Sequence, residues 1–385
     1  MTIASAIENA RNKIATAYQT VENMGGTLPT TQNLENLPIA IESVNTTGSL
    51  IDGSATEVDT SVSSIRGSAF ANCTNLNKVI LRSNTVVDLS DDTIFENTPI
   101  ASGEGNIYVP DGLVKNYLID GWNTSLSQSS DSWRNITAFS DGIIALAERG
   151  VTKILQNGST TWTDGGSLPQ LKNDDNWQFI YEDPSGRLFA ISYNGYSSNS
   201  VNGGSTWSPR TPVSQLQNGF WQACCLNNFE DRVLIVLISQ FGTIACIDGT
   251  NWSYSSLGEG GGNAGWFDLT FDGNKFIALS DMGYLSTSTD GINWTQATQN
   301  NTLRVYNCRG ITYKKGLYIV ITYQGKVLTS LDCINFSEDT SLTNFSNGYA
   351  ITFDDDNVFV LNRQGTIMKA NSLPYDIMPI SSLPS

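Results

Sequence analysis

The sequence predicts a mainly β chain whose C-terminal part, residues 131–385, is a six-bladed β-propeller, preceded by a short N-terminal helix and a small repeat-like domain. Three observations carry the prediction. One pattern recurs: an aromatic-led strand, a polar turn, a second apolar strand, a Gly, a third strand, and an Asp/Asn-Gly turn before Trp. Its glycines, Gly150, Gly195, Gly242, Gly283, Gly325 and Gly365, lie 45, 47, 41, 42 and 40 residues apart, the length of a four-stranded blade. The segments before them, IIALAE, LFAIS, VLIVLIS, FIALS, LYIVIT and VFVL, are continuous β-branched and apolar runs, suited to strands covered on both faces by neighbouring blades. Composition agrees, since 15 Phe, 14 Tyr, 9 Trp and 34 Gly with only 15% charged residues favour short strands and turns over long surface helices.

Ahead of the repeats the chain divides twice. The apolar residues Ile3, Ile7, Ala10, Ile14, Ala17 and Val21 alternate spacings of four and three, the seam of a coiled coil. So short a helix is marginal alone, and the seam is expected to be covered by identical partners, a homotrimer, or by the rest of the chain. Gly25-Gly26 stops the helix, Pro29 and Pro38 mark a loop and a short second helix, and Thr46-Thr47-Gly48-Ser49 reads as a linker. Residues 1–47 are therefore expected to anchor and oligomerise the chain.

Residues 48–130 form a second segment. It contains IRGSAFANCTNLNKVIL from Ile65 to Leu81, Ile94-Phe95-Glu96-Asn97, and IYVPDGLVKNYLIDGW from Ile107 to Trp122. This resembles the BspA-type leucine-rich repeat, in which an apolar-Ala-Phe turn, an Asn-Cys-Thr-x-Leu step and a strand are closed by a Tyr-Val-Pro-Asp segment leading into a helix. About one and a half repeats are present, fewer than the roughly three a free-standing solenoid needs, so a spacer is expected here.

Charge and residue inventory exclude several functions. Lys plus Arg number 21 against 37 Asp plus Glu, a net charge of -16, which disfavours nucleic acid and anionic membrane surfaces. The start, MTIASAIENARNK, lacks a basic region followed by an apolar run, and no stretch approaches about 20 uninterrupted apolar residues, so neither export by that route nor membrane insertion is expected. Cys73, Cys224, Cys225, Cys246, Cys308 and Cys333 include no CxxC pair, and the chain has no histidine. A thiolate–imidazole zinc site and Ser-His-Asp or Cys-His catalysis are therefore excluded. No metal and no cofactor is expected.

The third part of each unit resembles the Asp-box, or BNR repeat, of sialidase-like propellers, a Ser-x-Asp-x-Gly-x-Thr-Trp hairpin at the blade periphery. SVNGGSTW from Ser200 to Trp207 fits best. STDGINW from Ser288 to Trp294 is one residue shorter, Asp248–Trp252 and Asn157–Trp162 are looser, SLDCINF from Ser330 to Phe336 has lost the Gly, and the sixth unit lacks the box. Its Asp or Asn accepts backbone hydrogen bonds, its Gly supplies a left-handed conformation, and its Trp is expected to seal the hairpin onto its own blade. The enzyme family would imply an Arg-Ile-Pro-type motif ahead of the first boxes. None exists here, so a sialidase-like glycan hydrolase is a minor alternative and no catalytic residue is assigned.

A binding site is easier to motivate. Aligning the first strands superimposes Trp133, Trp177, Trp221, Trp266, Cys308 and Tyr349, followed by Arg134, Gln178, Gln222, Phe267, Arg309 and Ala350. If these strands line the channel, Trp133, Arg134, Trp177, Gln178, Trp221, Gln222, Trp266, Arg309 and Tyr349 are candidate ligand contacts, suited to stacking on sugar rings and bonding their hydroxyls. Packing between blades is the commoner use of an aromatic repeated once per blade. The N-terminal helix followed by GGTLPTTQNLENLPIAIESV resembles the openings of tailed-bacteriophage virion proteins. That resemblance implies a phage tail fibre or receptor-binding protein, assembled in the host cytoplasm and carried on the virion. Its N-terminus would contact other virion proteins and its propeller a host-surface glycan. A structural or head-fibre decoration protein without its own ligand is the alternative.

Overall fold

The computed structural model describes residues 54–127, 132–171, 175–229, 232–257, 265–354 and 356–383, with short pieces at 13–15, 17–18 and 30–32. The chain folds into two compact units, Lys115–Leu373 and Met1–Val114 with Pro374–Ser385.

The larger unit is the six-bladed propeller. Five blades are sequential four-stranded antiparallel sheets. Their innermost strands are Trp133–Phe139, Trp177–Glu182, Trp221–Phe229, Trp266–Phe271 and Cys308–Lys314, and Gly348–Phe353 begins the sixth. Each innermost strand packs against those of the blades before and after it, and the last packs against the first, so the ring closes. The second strands, among them Gly142–Ala147, Phe276–Ser280 and Leu317–Thr322, are buried along their whole length, as their unbroken apolar sequences require. The cores lie between blades: Ile144, Leu146 and Ile154 of the first blade pack with Trp177, Ile180 and Leu188 of the second, and the same arrangement recurs around the ring.

The six register glycines all have positive φ, from +73° to +90°, a backbone region that costs a side chain about 1–2 kcal/mol. Gly150, Gly195, Gly242, Gly283 and Gly325 are also tight against the chain that leads into the next blade. A Cβ on Gly150 would sit 3.1 Å from the Trp177 ring, and one on Gly242 would sit 2.9 Å from the Trp266 Nε1. At Gly150 and Gly242 the glycine and the following Trp are thus one contact seen from both sides.

The peripheral hairpins are built by their polar residues. The Asp290 Oδ1 accepts the Ile292 and Asn293 N–H groups at 2.9 and 2.7 Å, and Asp332 repeats this at Ile334 and Asn335. Burial works against both charges, but these donors and the neighbouring side chains outweigh it and hold each carboxyl down at about 2. Where the fifth unit has lost its Gly, Cys333 itself adopts φ +61°. The aromatic residue that follows does more than seal the hairpin onto its own blade, the role expected from the sequence. Trp162, Trp207, Trp252, Trp294 and Phe336 each pack into the core shared with the preceding blade, because the hairpin turns its inner face toward that neighbour.

The propeller does not start at residue 131 or run to 385. The sixth unit has no box, and its outermost strand is Asp120–Leu126, which pairs antiparallel with Ile367–Asn371. The repeat pattern missed this strand because DGWNTSL is polar and carries no register glycine. At the other end, Asp376–Pro379 belongs to the smaller unit.

That unit is a four-stranded parallel sheet, ordered Glu57–Thr60, Lys78–Leu81, Asn106–Val109, Asp376–Pro379. Two turns stack beside it. The Phe70 and Asn72 N–H groups bond the Ile94 and Glu96 carbonyls, the Asn97 Nδ2 donates to the Asn72 Oδ1 at 2.8 Å, and Phe70 stacks on Phe95 with centroids 5.4 Å apart. Both asparagines take positive φ, which Asn tolerates best after Gly. Of the proposed coiled-coil seam, Ile14 and Ala17 are helical and half-buried. Ile3, Ile7, Ala10 and Val21 lie outside the described residues.

Candidate ligand site in the propeller channel

Each innermost strand begins with a β-bulge. The registers shift between Trp133 and Asn135, Trp221 and Ala223, Trp266 and Asp268, Cys308 and Gly310, and Gly348 and Ala350, with the equivalent break at Trp177/Phe179. The extra residue in each strand is Arg134, Gln178, Gln222, Phe267, Arg309 or Tyr349. All six line one cavity of about 290 Å³ at the channel mouth. A bulge re-aims a side chain, and here it turns one residue per blade out of the alternating pattern and into the channel.

This placement divides the residues expected from the sequence. Arg134, Gln178, Gln222, Arg309 and Tyr349 come together. Trp133, Trp177, Trp221 and Trp266 do not join them, being at most 2% exposed within the inter-blade cores. The Trp177 and Trp221 indole N–H groups donate to the Pro169 and Leu216 carbonyls at 3.0 and 2.7 Å. They are packing residues. Tyr349 aligns one position later than expected: it matches Arg134, and Gly348 occupies the Trp position.

A second ring had escaped the sequence reading. Glu148, Tyr193, Gln240, Asp281, Tyr323 and Arg363 each stand two residues before a register glycine, and Tyr193, Gln240, Tyr323 and Arg363 line the same cavity. Their position is fixed by backbone bonds that repeat from blade to blade. The Tyr193 N–H donates to the Asn176 carbonyl, Gln240 to Phe220, Tyr323 to Asn307 and Arg363 to Asn347. The offset from the glycine was a usable signal, although no single residue type marks the position.

The electrostatics are uneven. The cavity-lining residues include Arg134, Arg309 and Arg363 and no carboxylate, in a chain of net charge -16. Arg134 is already neutralised, its Nη2 and Nε lying 2.6 and 3.1 Å from the Glu148 Oε2 and its Nη1 donating to the Tyr349 hydroxyl at 2.7 Å. Burial opposes its charge, but Tyr349 and Glu148 outweigh this and raise its pKa. Arg363 reaches the same Glu148 at 3.9 Å. Arg309 differs. Its guanidinium carbon lies 4.0 Å from the Phe267 ring centroid and 5.6 Å from that of Tyr323, and its Nε and Nη1 are buried without a hydrogen-bond partner. Burial lowers its pKa, which Tyr349 and Asp281 only partly offset.

Beside the cavity stands an aromatic step. Tyr193, whose hydroxyl donates to the Gln240 Oε1 at 2.6 Å, meets Phe220 edge to face at 5.1 Å, and Phe220 meets Phe241 at 5.3 Å. Phe241 is 69% exposed. Phe220 holds φ +56°, an outlier for a bulky residue of the kind that concentrates at functional sites.

Deeper in the channel, the Asp268 carboxylate accepts the Ile311 N–H of the next blade and its neighbour Leu269 N–H, both at 2.9 Å. Burial pushes its pKa up to about 7 against those two bonds. Asn135 makes the matching stitch to the Ile180 N–H at 3.1 Å. Among the described residues no group of three His, Cys, Asp or Glu is placed to hold a metal ion, and no helix is long and apolar enough to cross a membrane.

No protein-family model matches the sequence, and no curated protein does. Solved structures that resemble it are propellers. A streptogramin B lyase is 12% identical with a TM-score of 0.49, covering 65% of this chain and 96% of its own. YCF48 bound to D1 peptide is 14% identical with a TM-score of 0.45, covering 66% of this chain and 99% of its own. The WD40 propeller domain of Doa1 is 10% identical with a TM-score of 0.47, covering 65% of this chain and 96% of its own. At such identities the likeness is one of fold.

Proposed function

We propose that this chain is a non-enzymatic attachment protein of a phage virion, a tail fibre or receptor-binding protein whose propeller binds a glycan on the host surface. The observation that carries the binding role is the convergence of six bulge side chains on one channel mouth. They supply guanidinium, amide and phenol groups for sugar hydroxyls, and the Phe220–Phe241 step alongside offers a stacking face. Binding without turnover is supported by the lack of histidine, by the lack of a carboxylate among the residues that line the cavity, and by the commitment of Glu148 to Arg134.

The virion setting is supported by domain order and by the resemblance of the N-terminal segment to tailed-phage virion proteins. Through that segment the chain would contact other virion proteins and assemble as a homotrimer, built in the host cytoplasm. Several weak sites on one fibre would then add by avidity. The stacked Asn72 and Asn97 turns and the parallel strands support the leucine-rich-repeat-like spacer. The Asp290 and Asp332 turns support the Asp-box likeness. The test is binding of fluorescently labelled protein to a panel of bacterial strains, with and without periodate oxidation of surface glycans. Strain-specific binding that periodate abolishes is expected; no binding to any strain would favour a structural decoration role.

A further inference from the structure

We propose that the channel beyond the mouth is a binding site for one alkali cation, held by the Asp268 carboxylate and the Thr270 and Thr312 hydroxyls. This site is independent of the glycan-binding role. Past the ring of bulge residues the channel encloses a second space of about 130 Å³. Each innermost strand is paired on one side only, so its other edge turns free carbonyl and N–H groups toward the channel. Thr137, Thr270, Thr312 and Thr352 line this space at one shared register, opposite Ile144, Ile277, Ile319 and Phe359 of their second strands. The protein uses two of them: the Thr352 Oγ1 accepts the Ala138 N–H at 3.2 Å, and the Thr137 hydroxyl reaches the Ala138 carbonyl at 3.5 Å. Thr270 and Thr312 are each 8% exposed. Among the described residues neither hydroxyl has a hydrogen-bond partner in the protein, and both are open to the cavity they line. A hydroxyl so enclosed is costly without a partner, and these two point to an occupant that the protein does not supply.

Asp268 gives the occupant its charge. It precedes Thr270 by two residues on one strand, hence on the same face, and its Oδ2 accepts the N–H of Ile311, the residue before Thr312. The three side chains therefore share one stretch of the wall, where the fourth blade meets the fifth. Each carboxylate oxygen accepts a single N–H and keeps further acceptor capacity. Among the described residues no lysine or arginine pairs with it. The other titratable groups lining the space are Arg134, Arg309, Tyr349 and Cys224. Neither arginine is among the groups that shift the Asp268 carboxyl, and Arg134 is already matched by Glu148. Water would satisfy the hydroxyls and leave the carboxylate uncompensated; a cation answers both. Hydroxyl, carboxylate and carbonyl oxygens replace the hydration shell of such an ion. One carboxylate matches one positive charge. Among the described residues no group of three acidic side chains is placed for a metal ion, so a divalent ion would bring an unbalanced charge into the channel.

The test is thermal melting of the full chain at pH 8 in sodium, potassium, calcium or tetramethylammonium chloride at equal ionic strength. Tetramethylammonium is too large to enter and leaves Asp268 without a counter-ion, the state in which burial raises its carboxyl to about 7. Sodium or potassium at ten times its Kd should raise the melting temperature by about 3–5 °C over tetramethylammonium. Asp268→Asn should lose that rise entirely, so any advantage it has in tetramethylammonium narrows when the alkali cation is added. Thr270→Val and Thr312→Val keep the shape of the side chain and should each lose at least half of the rise; they also keep the test open if Asp268→Asn does not fold. Crystals grown with rubidium chloride should show an anomalous peak beside Asp268 and Thr270. Equal melting in sodium, potassium and tetramethylammonium overturns the site, as does a rise that Asp268→Asn retains. Stabilisation by calcium alone overturns the monovalent assignment. A rubidium peak found only outside the channel marks an adventitious ion only and overturns the site as well.

Discussion

Replacing Asp268 with Asn removes a charge that the propeller holds inside its channel, and the expected consequence is a change in how stability depends on pH. In the folded chain this carboxyl titrates at about 7 against 3.8 ordinarily, because burial outweighs the two backbone N–H groups it accepts. The folded state therefore keeps a proton that the unfolded state releases. The stability tied to that proton is complete below pH 3.8 and drains away as the pH rises through about 7. A shift of that size corresponds to at most about 4 kcal/mol. Part of the Asp268 surface faces the enclosed channel space, where water can solvate the charge, so a loss of about 2 kcal/mol between pH 5 and pH 8 is expected. Asp290 and Asp332, held at about 2, give their stabilisation in full above pH 4 and contribute no slope in this window. Half-buried Cys225 is pushed up to about 12 by desolvation and is silent as well. Asn resembles the protonated acid and keeps an acceptor for the Ile311 N–H. Urea unfolding followed by tryptophan fluorescence at pH 4, 5, 6, 7 and 8 should give curves that nearly coincide at pH 4 and separate as the pH rises, the variant's advantage growing by about 2 kcal/mol between pH 5 and pH 8. Parallel pH profiles, or a variant weaker than the parent at pH 8, would show that the carboxylate is better accommodated than this account allows.

Other substitutions address other parts of the fold. Gly291→Ala places a Cβ 2.8 Å from the Val236 Cγ2 at φ +74°, and should cost about 2 kcal/mol or more in chemical denaturation. Trp177→Ala, in the inter-blade core, should destabilise by about 3–5 kcal/mol, and a stability near that of the parent would reopen its role as a ligand contact. Phe241→Ser should leave the melting temperature unchanged, because the ring is exposed, yet weaken cell-surface binding by about five- to tenfold. Deleting residues 120–126 exposes the Ile367–Asn371 edge, and light scattering should report aggregation at concentrations where the intact chain stays clear.

The propeller was legible because its register depends on a backbone requirement that few residues meet. Positive φ at Gly150, Gly195 and their equivalents leaves a mark at fixed spacing whatever the rest of the blade does. The channel mouth was only half legible. Whether Trp or its successor faces the channel is decided by a bulge, a backbone event with no residue signature, and so Trp177 and Gln178 looked equally eligible. In the sixth unit, where Gly348 replaces Trp, the alignment slipped by one and attached Tyr349 to the wrong set. The second ring escaped because Glu148, Tyr193, Gln240 and Arg363 share a position and no chemistry. The unpartnered donors of Arg309 appear only once the neighbouring rings are in place.

The seam that closes the ring also bears on how the chain is made. On the ribosome, Asp120–Leu126 emerges before any blade, and its partner Ile367–Asn371 follows only after the five other blades have been synthesised. Throughout that interval the nascent strand is an edge without a mate, able to pair with a like strand on a neighbouring polysome. Its sequence, Asp-Gly-Trp-Asn-Thr-Ser-Leu, is poor in the β-branched apolar residues that nucleate such pairing. The polarity that hid this strand from pattern recognition keeps it soluble until the sixth blade arrives.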